Sequence, residues 1–260
     1  MNTNESLQVS SAIRFGYDTT MKNLWFFVKV ALLSGFLYYA PRLLSVPLGS
    51  YFVNYPETII TNFISLLLVL IATFITFLVS VGLTHISVSF AYGADARLSD
   101  LVRHWRLVPK YLWTVLLASL PAQLIVAVAF LISLTVLFTG NVALFIVVEA
   151  AIVIAGVYIE LRLGFMPAYI FVDTGDWGLS AVRKSWNATE GHVWLLVRLM
   201  IVAAILNILG ALAFIVGLFI TIPTTMLASA YIYKLLAQKN GIGRTVSEPQ
   251  SIPSATVPQA

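Results

Sequence analysis

Apolar residues run along this chain in long unbroken blocks, with polar residues confined to the short gaps between them. A block of about 20 apolar residues is what a helix needs to cross the hydrocarbon layer of a membrane. Six blocks qualify, at 23–44, 58–82, 111–138, 142–164, 193–215 and 217–237. The second stays apolar as far as Tyr92, which predicts a helix projecting beyond the bilayer. Thr139-Gly140-Asn141 predicts a tight turn between the third and fourth spans, and Gly210 and Gly217 bracket the turn between the fifth and sixth. The pattern predicts an all-α fold, a polytopic bundle of six transmembrane helices occupying residues 23–238. Residues 1–22 form an N-terminal tail and interfacial helix. Residues 239–260, rich in Ser, Pro, Thr and Gly, predict a disordered tail.

The polar gaps carry a pattern of their own. Trp25, Trp113 and Trp194 each open an odd-numbered span. An aromatic residue stands eight positions before each (Tyr17, Trp105, Trp186), and a basic residue ten or eleven before (Arg14, Arg103, Arg183). The residues around each tryptophan also correspond, as "NLW", "YLW" and "HVW". This predicts a threefold internal repeat of one unit, a short cytoplasmic amphipathic helix followed by a two-helix hairpin, at spacings of 88 and then 81 residues. Units with an even number of spans keep one orientation, so the pseudo-symmetry axis would run along the membrane normal.

Leu98, Leu101, Val102 and Trp105 fall at helical spacing, opposite Asp100, Arg103 and His104. In the third unit Leu179, Val182 and Trp186 share one face, and Ser180, Arg183, Lys184 and Asn187 the other. Ser99 is placed to cap the second short helix and Gly191 to stop the third. Such helices lie at the headgroup boundary. Trp105, Trp113 and Trp194 would sit in the interface, with Arg103, Arg183 and Lys184 toward phosphates. Each such cation is worth about 1 kcal/mol near an anionic surface. The loop 173–192 is still close to neutral, because Asp173, Asp176 and Glu190 offset Arg183 and Lys184.

Composition strengthens the membrane reading. The chain is 60% hydrophobic and 10% charged, with a mean hydropathy of +0.93, where soluble domains carry about 25% charged residues. A net charge of +4 would suggest nucleic acid in a soluble protein; here it reflects Lys and Arg held on one side. Under the hairpin topology, Arg14, Lys22, Lys29, Arg97, Arg103, Arg106, Lys110, Arg162, Arg183, Lys184, Arg198, Lys234, Lys239 and Arg244 share a side, and of the 15 cations only Arg42 lies opposite. The positive-inside rule then places both termini in the cytoplasm. One consequence concerns Asn187-Ala188-Thr189, a glycosylation sequon by pattern, which is silent on that side. The absence of cysteine excludes disulfides, thiolate metal sites and Cys nucleophiles.

The third unit reads "LRLGFMPAYIFVDTGDWGLSAVRKSWNATEGHVWLL" and then "GLFITIPTTMLASAYIYKLL". It resembles bacterial six-span proteins related to the membrane domain of glycerophosphoryl diester phosphodiesterases. The residues that carry the resemblance are Val172-Asp173, Ala181, Ser185, Trp186, Thr189, Gly191, Gly217, Thr221 and Pro223. It covers about residues 160–237, and the first half matches through layout and "AYGADARLSDLVRHW". In the phosphodiesterases that domain precedes a soluble catalytic barrel. This chain ends about twenty residues after its last span, so the expectation is a membrane part without a barrel and without that activity.

Candidate chemistry is sparse. Glu149 lies about seven residues into the fourth span, where an intramembrane carboxylate costs roughly 2.5–3.5 kcal/mol unless paired or protonated. It is either a functional carboxyl or a protonated structural one bonded to Thr61, Asn62 or Ser65. Glu160 and Arg162, two apart on the same helix, do not face each other; Glu160 is expected to pair with Lys29 or Arg198. Glu190 and His192 flank a glycine with no nucleophile beside them, and His85, His104 and His192 lack metal-ligand spacing. Pro121, Pro167 and Pro223 are candidate kinks. These residues predict a non-enzymatic scaffold or lipid-contacting accessory protein, with no cofactor and no nucleic-acid partner. Its partners would be membrane lipids, other membrane proteins or a second copy. A transporter or channel subunit using Glu149 is the alternative, and an intramembrane lipid enzyme using Glu160, Arg162 and Asp173 comes third.

Overall fold

The computed structural model describes residues 8–54, 59–138, 141–213 and 217–243. Among them every regular element is a helix: α1 (Val9–Lys22), α2 (Leu24–Asn54), α3 (Ile59–Ala91), α4 (Asp100–Arg103), α5 (Val108–Phe138), α6 (Val142–Leu163), α7 (Pro167–Thr174), α8 (Leu179–Ala188), α9 (Val193–Leu212) and α10 (Leu218–Lys239), with one 3₁₀ turn at Trp105–Leu107. Among the described residues five helical stretches are long and apolar enough to cross a membrane, or six if α1 and the start of α2, bent by 91°, count as one span. The fold is an all-α bundle of the expected class. Its long helices match the six apolar blocks, although α2 runs ten residues past the expected end at 44. The extension of α3 to Ala91 follows the apolar run that predicted it.

Short helix, long helix, long helix is the order in each third of the chain, with α7 as an extra element before the last. The first and last described segments meet. Val9, Ile13 and Ile242 all pack on the cluster that contains Ile232, Tyr233 and Leu236, so the described chain begins and ends at one end of the bundle, here called the base. In lipid, apolar burial no longer drives helices together, and close contact relies on small residues. Ala12, Gly16 and Thr20 lie four apart on α1 and are all fully buried. A Cβ on Gly16 would lie 2.2 Å from the Thr224 carbonyl oxygen, so α1 rests directly on the backbone of α10.

Four hydroxyls of α3 are satisfied within the helix. Thr76, Ser80, Thr84 and Ser87 donate to the carbonyls of Ala72, Thr76, Ser80 and Leu83 at 2.6–2.9 Å. Such back-bonding lets a polar stripe stay inside a membrane helix. Pro121 and Pro223 sit inside α5 and α10. Pro167 opens α7, where the missing N–H costs nothing.

Two short helices differ from expectation. In place of one continuous helix across Leu98–Trp105 there are four residues of α4 and then the 3₁₀ turn, broken at His104, whose ring stacks on His85 with centroids 4.2 Å apart. Leu101 is drawn in because its backbone lies on Gly82 of α3; Val102 and Trp105 stay exposed. Ser99 occupies the cap position without a side-chain cap, and the Asp100 carboxylate instead accepts the Arg97 amide at 2.8 Å. On α8 the buried stripe is Ala181, Val182, Ser185 and Ala188. Leu179 and Trp186, expected on the Val182 face, remain exposed at 71% and 38%. Small side chains allow α8 to approach its neighbours closely, and the bulky apolar ones are left outside. Gly191, at φ +72°, makes the left-handed turn between α8 and α9 that a glycine permits.

Candidate functional site, a polar base beneath the helices

Arg162, in the last turn of α6, is buried and stands at the centre of the α6–α8 junction. Its guanidinium carbon lies 3.7 Å from the centre of the Trp186 ring. Nη2 donates to the Trp186 carbonyl at 2.8 Å and Nη1 to the Tyr158 hydroxyl at 3.1 Å. The Arg162 carbonyl accepts the Ser185 hydroxyl at 2.7 Å, and Thr189 Oγ1 donates to the Ser185 carbonyl at 2.8 Å. Carbonyls at the end of a helix lack intrahelical donors, so Ser185 supplies one to α6. The Ser-Trp-x-x-Thr pattern thus works as a lock around one arginine.

Asp173 closes a second tie. This buried carboxylate, near the end of α7, accepts the Tyr233 hydroxyl at 2.8 Å and the Tyr92 hydroxyl at 3.0 Å through Oδ2. Tyr169 stacks on Tyr233 at 5.3 Å. Lys234 Nζ donates to the Ala91 carbonyl at 2.9 Å and lies 5.3 Å from the Tyr92 ring centre. Gly243, at φ +113°, covers the group: a Cβ there would come within 2.9 Å of both Asp173 Oδ2 and the Tyr92 hydroxyl. One carboxylate therefore joins the ends of α3, α7 and α10.

Glu190 and His192 do not form a carboxylate–imidazole pair. His192 Nδ1 lies 2.7 Å from the Glu190 backbone carbonyl, and Lys239 Nζ approaches Nε2 at 3.0 Å. That geometry sets the hydrogen on Nδ1 and a lone pair on Nε2. Asn240 Nδ2, 3.4 Å from the Ala188 carbonyl, adds a second link between α8 and the end of α10. In the α7–α8 connection, Asp176 pairs with Lys184 and Thr174, and these hydrogen bonds, Lys184 first, hold its carboxyl below the ordinary carboxylate range. The Gly178 amide donates to the buried Thr114 hydroxyl of α5 at 2.8 Å, seating the start of α8.

Glu149 faces α5. Its Oε1 meets the hydroxyl of Ser133, which also lies 2.8 Å from the Ala129 carbonyl. Thr61, Asn62 and Ser65, the partners expected for it, have side chains outside the described residues. Glu160 makes no ion pair with Lys29 or Arg198 among the described residues. Its carboxylate folds back over Gly164, where a Cβ would come within 2.2 Å of Oε1, and Arg198 instead stands over Trp194. Glu160 and Arg162 diverge, one exposed and one buried.

Exposed tryptophans ring the base. Trp105, Trp113 and Trp194 are 52–64% exposed. Arg106 lies over Trp105, Lys110 over Trp177 and Arg198 over Trp194, at 5.3–5.6 Å. Arg103 and Arg183 are exposed beside them, and Lys184 is half-buried in its pair with Asp176. Two clefts open on α10. One, of about 650 Å³, lies against α1 and α9; the other, of about 500 Å³, lies against α2 and α3 with Pro223 in its wall. No family model, curated protein or solved structure matches this chain.

Of the residues singled out from sequence, the structure joins Arg162, Ser185, Trp186 and Thr189 in one lock, and Ala181 in the stripe beside it. Asp173 and Pro223 lie elsewhere, on α7 and α10. Tyr92, Tyr233 and Lys234, the surroundings of Asp173, carried no sequence signal, because tyrosines near helix ends are ordinary in membrane proteins. The Ala12, Gly16, Thr20 spacing was a readable signal of close helix packing.

Proposed function

We propose that this chain is a non-catalytic, lipid-contacting scaffold or accessory protein of a bacterial inner membrane, with both termini in the cytoplasm. The observation that carries this reading is the ring of exposed tryptophans, four with a cation over the ring, around the base where both ends of the described chain lie. Tryptophan favours the headgroup level and Lys and Arg the cytoplasmic side. The use of Arg162 and Asp173 as ties between helices supports the same reading. So does the resemblance of residues 160–237 to the membrane domain of glycerophosphoryl diester phosphodiesterases, a relation we also propose. The transporter reading gains no comparable support, since Glu149 is engaged with Ser133 and lines neither cleft.

The test uses the full chain in liposomes of phosphatidylglycerol and phosphatidylethanolamine. Headgroup-proximal quenchers should reduce tryptophan emission more than quenchers at the acyl-chain ends, and no phospholipid or glycerophosphodiester should be consumed. Turnover that is lost in Asp173→Asn or Arg162→Gln would overturn the scaffold reading. A single cysteine at position 187 that is labelled only from the outside of oriented spheroplasts would overturn the orientation.

A further inference from the structure

We propose that the cleft between α1, α9 and α10 seats one anionic glycerophospholipid, with an acyl chain along its floor and the phosphate at Arg14 and Arg198. This rests on the lipid-contacting reading above and adds the lipid class and its seat.

The cleft follows from two close contacts on one helix. Gly16 brings α1 onto the Thr224 backbone. Gly210 brings α9 onto α10, where a Cβ would lie 2.4 Å from Thr221 Oγ1. The bulky residues between these contacts, Ile13 on α1, Val202 and Leu206 on α9, and Ile220 on α10, line a gap of about 650 Å³. Binding sites for small molecules run from about 300 to 1,000 Å³. A hydrocarbon chain suits such walls.

Polar groups are placed sparsely along it. Arg14 lines the cleft with an 85% exposed side chain, and its contact with Asp18 is a long 3.8 Å through Nε. Both Nη groups are left for a phosphate, which guanidinium binds in bidentate fashion. Tyr17, half exposed, follows one turn later on the same rim. Arg198 lies one turn before Val202 on the same face of α9 and is exposed over Trp194. Deeper in, Thr221 lines the cleft with its Oγ1 buried against Gly210. Cations at the mouth and an apolar floor within is the order of groups along an anionic phospholipid. A free phosphate would leave the floor bare, and a zwitterionic lipid would bring an ammonium beside its phosphate, toward two guanidinium groups of which only Arg14 has a carboxylate near, at 3.8 Å.

Native mass spectrometry of the full chain, released from detergent after titration with phosphatidylglycerol or phosphatidylcholine, tests this. The wild type should keep one phosphatidylglycerol, preferred about fivefold or more over phosphatidylcholine. Arg14→Gln with Arg198→Gln should bring that preference to near one. Val202→Trp, which fills the cleft from a half-buried position, should remove the retained lipid of either kind. Melting temperatures within a few degrees of wild type would show that both variants fold. An unchanged preference in the double Gln variant, or an unchanged adduct in Val202→Trp, overturns the proposal. So does a lipid-free dimer that Val202→Trp converts to monomer, which would assign the cleft to a second copy. Lysophospholipid in the same spectra would overturn the non-catalytic reading, and loss of the adduct in Val202→Trp would still uphold the cleft.

Discussion

α6 and α10 are both 22 residues long, and they sit in opposite surroundings. The most apolar window of the stretch containing α6 has a mean hydropathy of 2.6 and none of it is buried inside the protein. That of α10 has a hydropathy of 1.2, the lowest of the five, and 44% of it is buried. In water the ranking would be reversed. In lipid the solvent is itself apolar, so a strongly apolar helix gains little by hiding, while small and hydroxylated residues gain contacts and hydrogen bonds at a helix interface. α10 follows this rule through Thr224, Thr225, Ala228, Ala230 and Ala237, all buried.

The sharpest way to break the comparison is to place the same side chain on each helix system. Gly16 meets α10 backbone, whereas Gly156 of α6 has nothing within 4 Å of its would-be Cβ. Gly16→Leu should cost about 3 kcal/mol or more, the upper end for overpacking, since a carbonyl cannot swing aside as a side chain can. Gly156→Leu should be neutral or stabilising by up to about 1 kcal/mol, through helix propensity alone. Thermal melting of both variants in one detergent checks this. Equal melting temperatures would mean that α1 is not seated on α10.

The next effect tests whether the base is held by polar ties as well as by small residues. Asp173→Asn should destabilise by about 1.5–3 kcal/mol, the range for hydrogen bonds to a charged group. Tyr233→Phe should cost less, and the double variant should cost less than the sum, because both changes act on the same 2.8 Å bond, one by taking the acceptor's charge and the other by taking the donor. Additivity in that cycle would sever Asp173 from Tyr233.

The same contrast explains what could be read in advance. The long helices were legible because a membrane sets both their length and their composition, and α5, α6, α9 and α10 begin and end within three residues of the expected limits. The base was less legible. Asp173 meets Tyr92 and Tyr233 from 81 and 60 residues away, and nothing local marks either tyrosine as its partner. Position on α8 was partly legible: of the face shared by Leu179, Val182 and Trp186, only Val182 turns inward, beside Ala181, Ser185 and Ala188, and the other two stay outside. The motif residues were visible, while their common object, Arg162, was visible only as an isolated charge.

A smaller effect is expected from the carboxyl in the exposed hairpin. Glu149→Gln keeps an acceptor for Ser133 and should shift stability by less than about 1 kcal/mol, since such bonds in membranes average about 0.6 kcal/mol. Proton flux in liposomes should be unchanged. A change in flux with unaltered melting would revive the transporter reading and show that the lipid-facing half of the molecule carries function.

The smallest effect lies at the rim of the base, where water replaces lipid. Asp176 is held below the usual carboxylate range, first by its hydrogen bond from Lys184 and then by that from Thr174. A depressed folded-state pKa contributes stability that is fully present above the unfolded value of about 3.9 and is lost as pH falls through the folded one. Both side chains are partly open, at 39% for Lys184 and 31% for Asp176, so screening by solvent limits the contribution to about 0–1 kcal/mol. Asp176→Asn should therefore lower the melting temperature slightly at pH 7, and the gap to wild type should close as pH falls below about 4. Added salt should narrow it as well. If the gap instead persisted unchanged at low pH, the Asp176 contribution would come from packing of the α7–α8 connection and not from its charge. The rim would then follow the same packing rule as the buried part of α10.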